Sequence, residues 1–248
     1  MRIQLISDLH LECYKKLPSI IPKSNYLALC GDIGYPFENH YNEYISLVSK
    51  IYEKVFVVSG NHEYYNYKHT MEEIDDQIEK VIKQYNNVYY LNNDEHIVDD
   101  IVILGTTLWS DVSKEEVYIK QMMNDYNKIY FNNPHKTFIT PKHVTQLFHN
   151  NVSWLGHKIL EHRHKKIVIL SHHLPSFQLI SEKYKDSKTN CAYASNLEYL
   201  LHDHVVAWLC GHTHIANEVK INQCLCVVNP RGYPNENLQY DEKVINIE

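Results

Sequence analysis

Five short polar clusters in the sequence carry side chains that can bind metal ions. Each follows a short apolar run, and the clusters are Ser7-Asp8-Leu9-His10, Gly31-Asp32, Gly60-Asn61-His62-Glu63, Ser171-His172-His173 and Gly211-His212-Thr213-His214. Their donor atoms are oxygen and nitrogen without thiolate sulfur, a set that suits manganese, iron, zinc or nickel better than calcium or magnesium. A carboxylate can bridge two cations, and Asp32, alone after its apolar run, is the candidate bridge. The clusters therefore predict a site for two divalent metal ions.

The apolar runs before these clusters must position them. They span residues 3–6, 26–30, 55–58, 167–170 and 205–210, and each is short and closed by turn residues, which predicts buried β-strands. If the strands lie side by side, their carboxyl ends form one crevice, where ligands bind in α/β sheets. On an extended backbone Asp8 and His10 would point the same way and hold one metal together, and His212 and His214 repeat that spacing.

Residues between the strands predict the surrounding layers. Segments 41–52, 70–85 and 140–164 have apolar residues at three- and four-residue spacing and are predicted to be amphipathic helices. Segments 101–104 and 224–228 are predicted to be further strands, and 244–247 an edge strand. Segment 111–138 fits neither pattern and is a candidate cover over the site. With no linker or repeat in the sequence, we expect a single α/β domain over residues 1–248.

The overall composition limits the class of partner. The formal net charge is −6 and no long basic run is present, which disfavours long duplex nucleic acid as a substrate. The six cysteines have neither zinc-like nor disulfide-like spacing. The first ligand cluster begins too early to leave room for a signal peptide, and no apolar stretch is long enough to span a membrane. We expect a soluble cytoplasmic protein with no membrane partner; nothing in the sequence predicts its oligomeric state.

The ordered clusters resemble the calcineurin-like metallophosphoesterase superfamily. Its pattern D-x-H, G-D, G-N-H-[DE], H and G-H-x-H is complete here between residues 8 and 214. The resemblance implies an α/β fold, a four-layer αββα sandwich with the dinuclear metal site at the carboxyl ends of the central strands. Among manganese, iron, zinc and nickel, we favour manganese for the two divalent metal ions. One metal would then be bound by Asp8, His10, Asp32 and His214, and the other by Asp32, Asn61, His172 and His212.

Further segments are similar to a subgroup of small bacterial-type metallophosphoesterases. They include Met123-Asn124-Asp125-Tyr126 and Asn229-Pro230-Arg231-Gly232-Tyr233. The family pattern needs one histidine where this sequence has His172 and His173. We take His172 as the ligand because it directly follows the predicted strand, and we expect His173 to pack beside it.

The resemblance implies hydrolysis of a phosphoester, because two cations activate a shared water for in-line attack and offset charge on the phosphoryl group. His62 would remain unligated beside the metals, and with an ordinary pKa near 6.5 it is the candidate general acid. The alternative for His62 is a structural histidine under the loop. The expected catalytic set is thus His62, Asp32 and Asn61.

Several other residues are candidates for contact with the substrate. Arg231 has a guanidinium fork that matches phosphate oxygens, although a surface ion pair is the alternative. Asn61 and His62 would face the phosphate, and Tyr64 or Tyr126 could stack on a ring, although tyrosines more often pack in the core. Tyr65 and Tyr193 are candidates of the same kind, and Glu12 could orient a ligand histidine.

The favoured function is a metal-dependent phosphodiesterase that hydrolyses a small phosphodiester such as a nucleotide or cyclic nucleotide. A phosphomonoesterase, acting on nucleotides or phosphoproteins, is the alternative. A nuclease is less favoured, since repair exonucleases of this type usually carry an added DNA-facing domain. A non-catalytic scaffold is also less favoured, because loss of ligand residues would mark one and none is missing here.

Overall fold

Two β-sheets packed face to face form the centre of the molecule. The computed structural model describes residues 1–66, 68–131, 136–236 and 240–247. The first sheet has the order β11-β1-β2-β3-β4 and the second β5-β6-β7-β8-β10-β9. The strands are β1 (Arg2–Ile6), β2 (Tyr26–Cys30), β3 (Lys54–Val58), β4 (Val88–Tyr90), β5 (Asp94–Val98), β6 (Ile101–Thr106), β7 (Lys166–Ser171), β8 (Val205–Cys210), β9 (Asn217–Ile221), β10 (Cys224–Val228) and β11 (Lys243–Asn246).

Helices cover the outer faces of the two sheets. They are α1 (Asn39–Ile51), α2 (Met71–Ile82), α3 (Glu116–Met122), α4 (Asp125–Lys128) and α5 (Pro141–Glu161). Helices α1 and α2 pack on the first sheet, while α5 packs on the second and against α3. Capping boxes begin α2 at Thr70 and α5 at Thr140, where Pro141 also suits the first turn. The four-layer sandwich implied by the resemblance is therefore confirmed.

The strands are apolar on both faces because each face serves a different core. In β3, Val55 and Val57 point to the outer core against the helices, whereas Phe56 and Val58 belong to the core between the sheets. In β7, Ile169 faces the outer core in the same way. Side chains alternate along a strand, so a strand buried on both faces has a continuous apolar run. This burial explains why five of the strands are so clear in the sequence.

The topology places the polar clusters at one edge. β1, β2 and β3 are parallel neighbours in the first sheet, and β7 and β8 are parallel neighbours in the second. The segment after β10 joins the two sheets there: the backbone N–H of Arg231 donates to the carbonyl of Ser7, and that of Gly232 donates to the carbonyl of Asp8. The loops after five strands thus meet at the carboxyl ends.

Most predicted elements are found, with differences at the periphery. Strands β4, β5 and β9 were not predicted, because β4 has only three residues and β5 and β9 carry polar residues on exposed faces. Within segment 111–138 the structure has α3 and α4, and residues 132–135 lie outside the described part. No helix in the described ranges has both the length and the apolar character needed to cross a membrane. All six cysteines are free thiols.

Candidate metal centre

The backbone at the strand ends is left-handed rather than extended. Asp8, His10, Asp32, His212 and His214 all have positive φ, between 48° and 73°. This corrects the expectation that alternation along an extended strand aims Asp8 with His10 and His212 with His214. Such backbone is costly for residues other than glycine and persists where the surrounding structure imposes it, often at functional sites. The sharp turns bring these side chains back over the ends of the sheets.

One group of side chains gathers above the first sheet. Asp8, His10, Asp32 and His214 each offer a ligand atom, and these atoms all lie within 4.8 Å of one another. Nε2 of His10 is 2.9 Å from Nε2 of His214, which is 3.4 Å from a carboxylate oxygen of Asp8. Asp8 also accepts the backbone N–H of His212 at 2.9 Å, which fixes the last ligand loop against the first.

A second group lies beside the first and shares Asp32 with it. Asp32, His172 and His212 also offer ligand atoms within 4.8 Å of one another. Nε2 of His172 lies 3.1 Å from Nδ1 of His212, 3.2 Å from Oδ1 of Asn61 and 3.4 Å from Oδ2 of Asp32. The two groups are those that the resemblance implies for two metals, with Asp32 common to both.

The outer nitrogens of three histidines are held by acceptors. Nδ1 of His10 lies 3.1 Å from the Glu12 carboxylate, and Nδ1 of His214 lies 2.8 Å from that of Glu236. Nδ1 of His172 is 2.9 Å from the carbonyl oxygen of Cys30. A carboxylate or carbonyl oxygen only accepts, so in each neutral ring the proton sits on Nδ1 and Nε2 carries a lone pair.

These lone pairs converge on each other and on carboxylate oxygens. Two unprotonated nitrogens 2.9 Å apart, as in neutral His10 and His214, repel unless a proton or a metal cation lies between them. Asp8 and Glu236 outweigh burial and raise the pKa of His214 to about 9, so a proton takes this place when no metal is bound. Nε2 of His172 likewise faces the amide oxygen of Asn61. Asp32 outweighs burial and raises the pKa of His172 to about 10, so this nitrogen carries a proton until a metal replaces it. A donor set of imidazole, carboxylate and amide groups, buried and directed inward, fits divalent metal ions at both positions.

Two glycines allow this close approach. A Cβ on Gly60 would lie 2.2 Å from Oδ1 of Asp32, and a Cβ on Gly211 would lie 2.7 Å from Oδ2 of Asp8. Either contact is too short for a real carbon atom, so a side chain at these positions would displace the carboxylates. Glycine at the strand ends therefore serves the site itself and is more than a turn residue.

Electrostatics keep the shared carboxylate ionised. Burial by itself would raise the pKa of Asp32, but the positive charges of His172, His62 and His10 in their protonated forms outweigh it and hold the pKa well below its usual range. Asp32 also accepts the backbone N–H of His62 at 2.8 Å. An anionic Asp32 between the two groups is the charge state that a bridging ligand requires.

His62 stands beside the metal groups and faces the pocket. Its Nδ1 is 3.6 Å from the Glu12 carboxylate, and its ring stacks on Tyr65 with the centroids 4.1 Å apart. His10, Glu12 and His62 also lie within ligand distance of one another, with Glu12 between the two Nδ1 atoms. Glu12 thus contacts a predicted ligand histidine, as the sequence suggested, and His62 as well.

His173 lies behind the site. Its Nδ1 is 3.2 Å from the carbonyl oxygen of Thr107, and its ring packs against Trp109 and His212. Burial beside His172 lowers the pKa of His173 to about 3, so the ring is neutral. The structure therefore brings His172, and not His173, into the second group.

Three candidate substrate contacts lie away from the pocket. Arg231 donates from Nη1 to the carbonyl of Ser19 and covers the ring of Tyr240. Tyr64 is 2% exposed and donates its hydroxyl to Asp75, while Tyr126 is 5% exposed in the core. Packing has drawn the polar ends of Arg231 and Tyr64 to other partners, and none of the three residues lines the pocket, whereas Asn61 and His62 do.

A pocket of about 460 Å³ opens over the two groups. Tyr65, Tyr184, Tyr193 and Tyr233 form aromatic walls, and Met122 with neighbouring residues of segment 111–138 forms another side. Hydroxyl and amide side chains fill most of the remaining wall. The described residues that line the pocket include no lysine or arginine. Outside the two metal groups, Glu236 is the acidic residue of this lining.

Two supporting carboxylates were not singled out from the sequence. Glu63 is buried and accepts backbone N–H groups from Asp32, Ile33 and Gly60 at 2.7–3.0 Å, which joins two ligand loops. Glu236 accepts from both His214 and the backbone of Tyr233. Glu63 follows His62 in a ligand motif, and this position is a signal in the sequence. The position of Glu236 depends on a loop that no local pattern predicts.

Comparison with known proteins agrees with the geometry. Residues 1–216 match the family described as calcineurin-like phosphoesterase. An uncharacterized protein of Acanthamoeba polyphaga mimivirus is 33% identical over 264 residues, covering 95% of this chain and 93% of that protein.

Two solved structures share the fold. The phosphopantetheinyl hydrolase from Mycobacterium tuberculosis has a TM-score of 0.71 at 17% identity and covers 95% of this chain and 90% of its own. A putative 5′-nucleotidase from Staphylococcus aureus has a TM-score of 0.52 at 15% identity, covering 93% of this chain and 49% of its own. With the family match over most of its length and the buried histidine and aspartate groups, this chain belongs to the calcineurin-like phosphoesterases, hydrolases that typically bind two divalent metal ions.

Proposed function

We propose that this protein is a metal-dependent phosphodiesterase that hydrolyses a small phosphodiester such as a nucleotide or cyclic nucleotide, with manganese at both metal positions. The observation that carries the proposal is the pair of groups sharing Asp32 at the floor of a pocket without lysine or arginine in its described lining. A pocket of about 460 Å³ has the size of a small-molecule site.

The charge of the pocket favours a diester over a monoester. A phosphomonoester carries between one and a half and two negative charges near neutral pH, as on a phosphorylated side chain, whereas a diester carries one. Proteins commonly offset the extra charge with arginine or lysine clamps. The lining here supplies hydroxyl, amide and aromatic groups instead, and the nearby Lys128 and Lys183 lie over the rings of Tyr65 and Tyr184, each 4.9 Å from the ring centroid, without lining the pocket themselves. Such a surface suits the uncharged part of a diester, including a base or sugar.

The residues beside the metals have separate roles in this proposal. Bound metals would supply Lewis-acid stabilisation of the phosphoryl group and an activated water. Asp32 would bridge them, and Asn61 would hold one of them through its amide oxygen. Glu12, next to Nδ1 of His62, directs Nε2 of that ring away from itself, so that Nε2 would protonate the departing oxygen.

The proposed setting is the cytoplasm, with a small phosphoester as partner rather than long duplex nucleic acid. All six thiols are free, and they include buried cysteines in β2, β8 and β10. Free thiols persist in reducing compartments. The formal charge of −6 supports the exclusion of duplex substrates.

A matched pair of substrates tests the proposal. With Mn²⁺ present, kcat/KM for bis(p-nitrophenyl) phosphate should exceed that for p-nitrophenyl phosphate by about tenfold or more, or about 1.4 kcal/mol. Both release the same leaving group, so the comparison isolates the charge and bulk at phosphorus. Cyclic nucleotides and dinucleotides should likewise be better substrates than nucleoside monophosphates. The Asp32→Asn protein, purified in parallel, controls for contaminating phosphatases. A higher kcat/KM for the monoesters would overturn the proposal in favour of a phosphomonoesterase.

A further inference from the structure

Asp125 is a buried carboxylate at the start of α4, outside every predicted ligand cluster. It is 5% exposed, and it accepts hydrogen bonds from Nδ2 of Asn61 at 3.1 Å and from the hydroxyl of Tyr65 at 3.2 Å. Nδ2 of Asn61 is also 3.2 Å from that hydroxyl. The three side chains therefore form a closed triangle behind the second metal position. Among the described residues, no lysine or arginine forms an ion pair with this carboxylate.

The triangle decides which end of the Asn61 amide faces the metal position. An amide has an acceptor oxygen at one end and two N–H donors at the other, and only the oxygen can bind a cation. Asp125 has only acceptor atoms when ionised, so it selects the rotamer in which nitrogen points outward. The amide oxygen then faces Nε2 of His172 at 3.2 Å. With the opposite orientation the amide N–H groups of Asn61 would point at the second metal position.

The same residue connects the metal centre to the wall of the pocket. Met122, Met123 and Asn124 precede Asp125 in the chain and line the pocket. The segment 116–128 is thus held to the loop of Asn61 by the carboxylate of Asp125. A shift of the segment would break the hydrogen bond to Asn61.

Building on the proposed function, we propose that Asp125 is a positioning residue. It fixes the amide of Asn61 with its oxygen toward the second metal and fastens the 116–128 segment to the metal centre. It acts through Asn61 and does not itself contact metal or substrate.

Metal binding measured without substrate tests this assignment. Mn²⁺ is titrated into chelator-treated protein, and the electron paramagnetic resonance signal of the free ion gives the affinity of each position. In Asp125→Ala one of the two positions should weaken by about 10–100-fold, the range found for residues that orient metal ligands. Asp125→Asn keeps the size and one acceptor oxygen and should lose less. Equal affinities in the wild type and both variants would overturn the assignment.

Asp75→Ala is the matched control. Asp75 is a partly buried carboxylate that also accepts from tyrosine hydroxyls, those of Tyr64 and Tyr90, and within the described part of the chain it has no hydrogen bond to a predicted ligand. Its loss should leave both Mn²⁺ affinities within about threefold of the wild type, well under the tenfold that corresponds to about 1.4 kcal/mol. An equal loss of Mn²⁺ in Asp75→Ala and Asp125→Ala would mean general destabilisation and would contradict a specific role.

A double-mutant cycle with Asn61→Ala distinguishes two effects of Asp125: orientation of the Asn61 amide, and the charge of its own carboxylate. If Asp125 acts through Asn61, Asp125→Ala should have little further effect on Mn²⁺ affinity once the amide is gone. The same fold loss in both backgrounds would show that Asp125 acts through its charge and would overturn the assignment. If the wild type bound fewer than two Mn²⁺ ions, the proposed function would fail as well. If the wild type binds two Mn²⁺ ions but the losses of affinity in Asp125→Ala and Asn61→Ala are additive, the Asp125 assignment alone is rejected.

Discussion

At the scale of residues, the site depends on the side chains that hold each ligand residue in place. Glu12 and Glu236 accept from the outer nitrogens of His10 and His214, so each ring, when neutral, presents an unprotonated inner nitrogen to the metal position. The ligand types could be predicted from the sequence because they occur in short motifs. Supporting residues such as Glu236 could not, because only the folded chain brings a residue 22 positions away to its histidine.

The proposed role of His62 as general acid predicts a dependence on the leaving group. In His62→Ala, kcat should fall by about 10²–10⁴ for an alkoxide or nucleoside leaving group, because its oxygen needs a proton as the bond breaks. For bis(p-nitrophenyl) phosphate the loss should be much smaller, since nitrophenolate leaves without help. The ratio of the two rates cancels any change in active fraction. Metal content should be unchanged; equal losses on both substrates would remove the general-acid role.

The two adjacent histidines should differ in their effect on metal binding. His172→Ala removes a nitrogen from the second group and should weaken Mn²⁺ binding there by about 100-fold or more, above the 10–100-fold typical of residues that only orient ligands. His173→Ala should cost less than about tenfold, because this ring bonds the carbonyl of Thr107 and packs on Trp109. Both side chains are buried, so each controls for the other. The reverse order would identify His173 as the ligand.

At the scale of elements, the strands could be predicted where both faces are buried. β2, β3, β7 and β8 have continuous apolar runs because each face packs in a core. Strand β9 could not be predicted, since Glu218 and Lys220 face outward and its pairing with β10 depends on a neighbour. The left-handed backbone after the strands was also missed, because Asp and His at positive φ leave no local signal that separates them from an extended chain.

A polar network between α2 and β4 predicts a pH dependence of stability. Asp75 in α2 accepts from the hydroxyls of Tyr64 and Tyr90, yet burial raises the pKa of Asp75 to about 6, and the charges of Asp76 and Glu79 act in the same direction. In the unfolded chain the carboxyl group has its ordinary pKa of 3.8. Between these values the folded protein holds more protons, so its stability falls as the pH rises.

The comparison with Asp75→Asn isolates this group. Between pH 4 and pH 7 the free energy of unfolding of the wild type should fall by about 1–3 kcal/mol relative to the variant, at about 1.36 kcal/mol for each pKa unit. Urea unfolding of the metal-free proteins at each pH measures the difference. The amide can still accept both tyrosine hydroxyls at its oxygen and does not titrate. A difference that stays constant across this range would show that Asp75 keeps its ordinary pKa in the fold.

At the scale of the whole molecule, both sheets contribute residues to the site, and neither sheet alone provides the full set. The first sheet supplies Asp8, Asp32 and Asn61 after its strands, and the second supplies His172 and His212. The pocket above them could not be predicted from the sequence, because its walls come from loops that no motif marks. Arg231 follows a motif but is turned toward Ser19, since the backbone of that segment joins the two sheets.

The shared position of Asp32 makes a direct test of the dinuclear centre possible. Metal analysis after loading with Mn²⁺ should give two ions per chain in the wild type, and phosphoesterase activity should be lost on chelation and restored by Mn²⁺. Asp32→Asn keeps the size of the side chain but removes the bridging charge, so both ions should bind more weakly and activity should fall with them. Two tightly bound ions and full activity in Asp32→Asn would contradict the account.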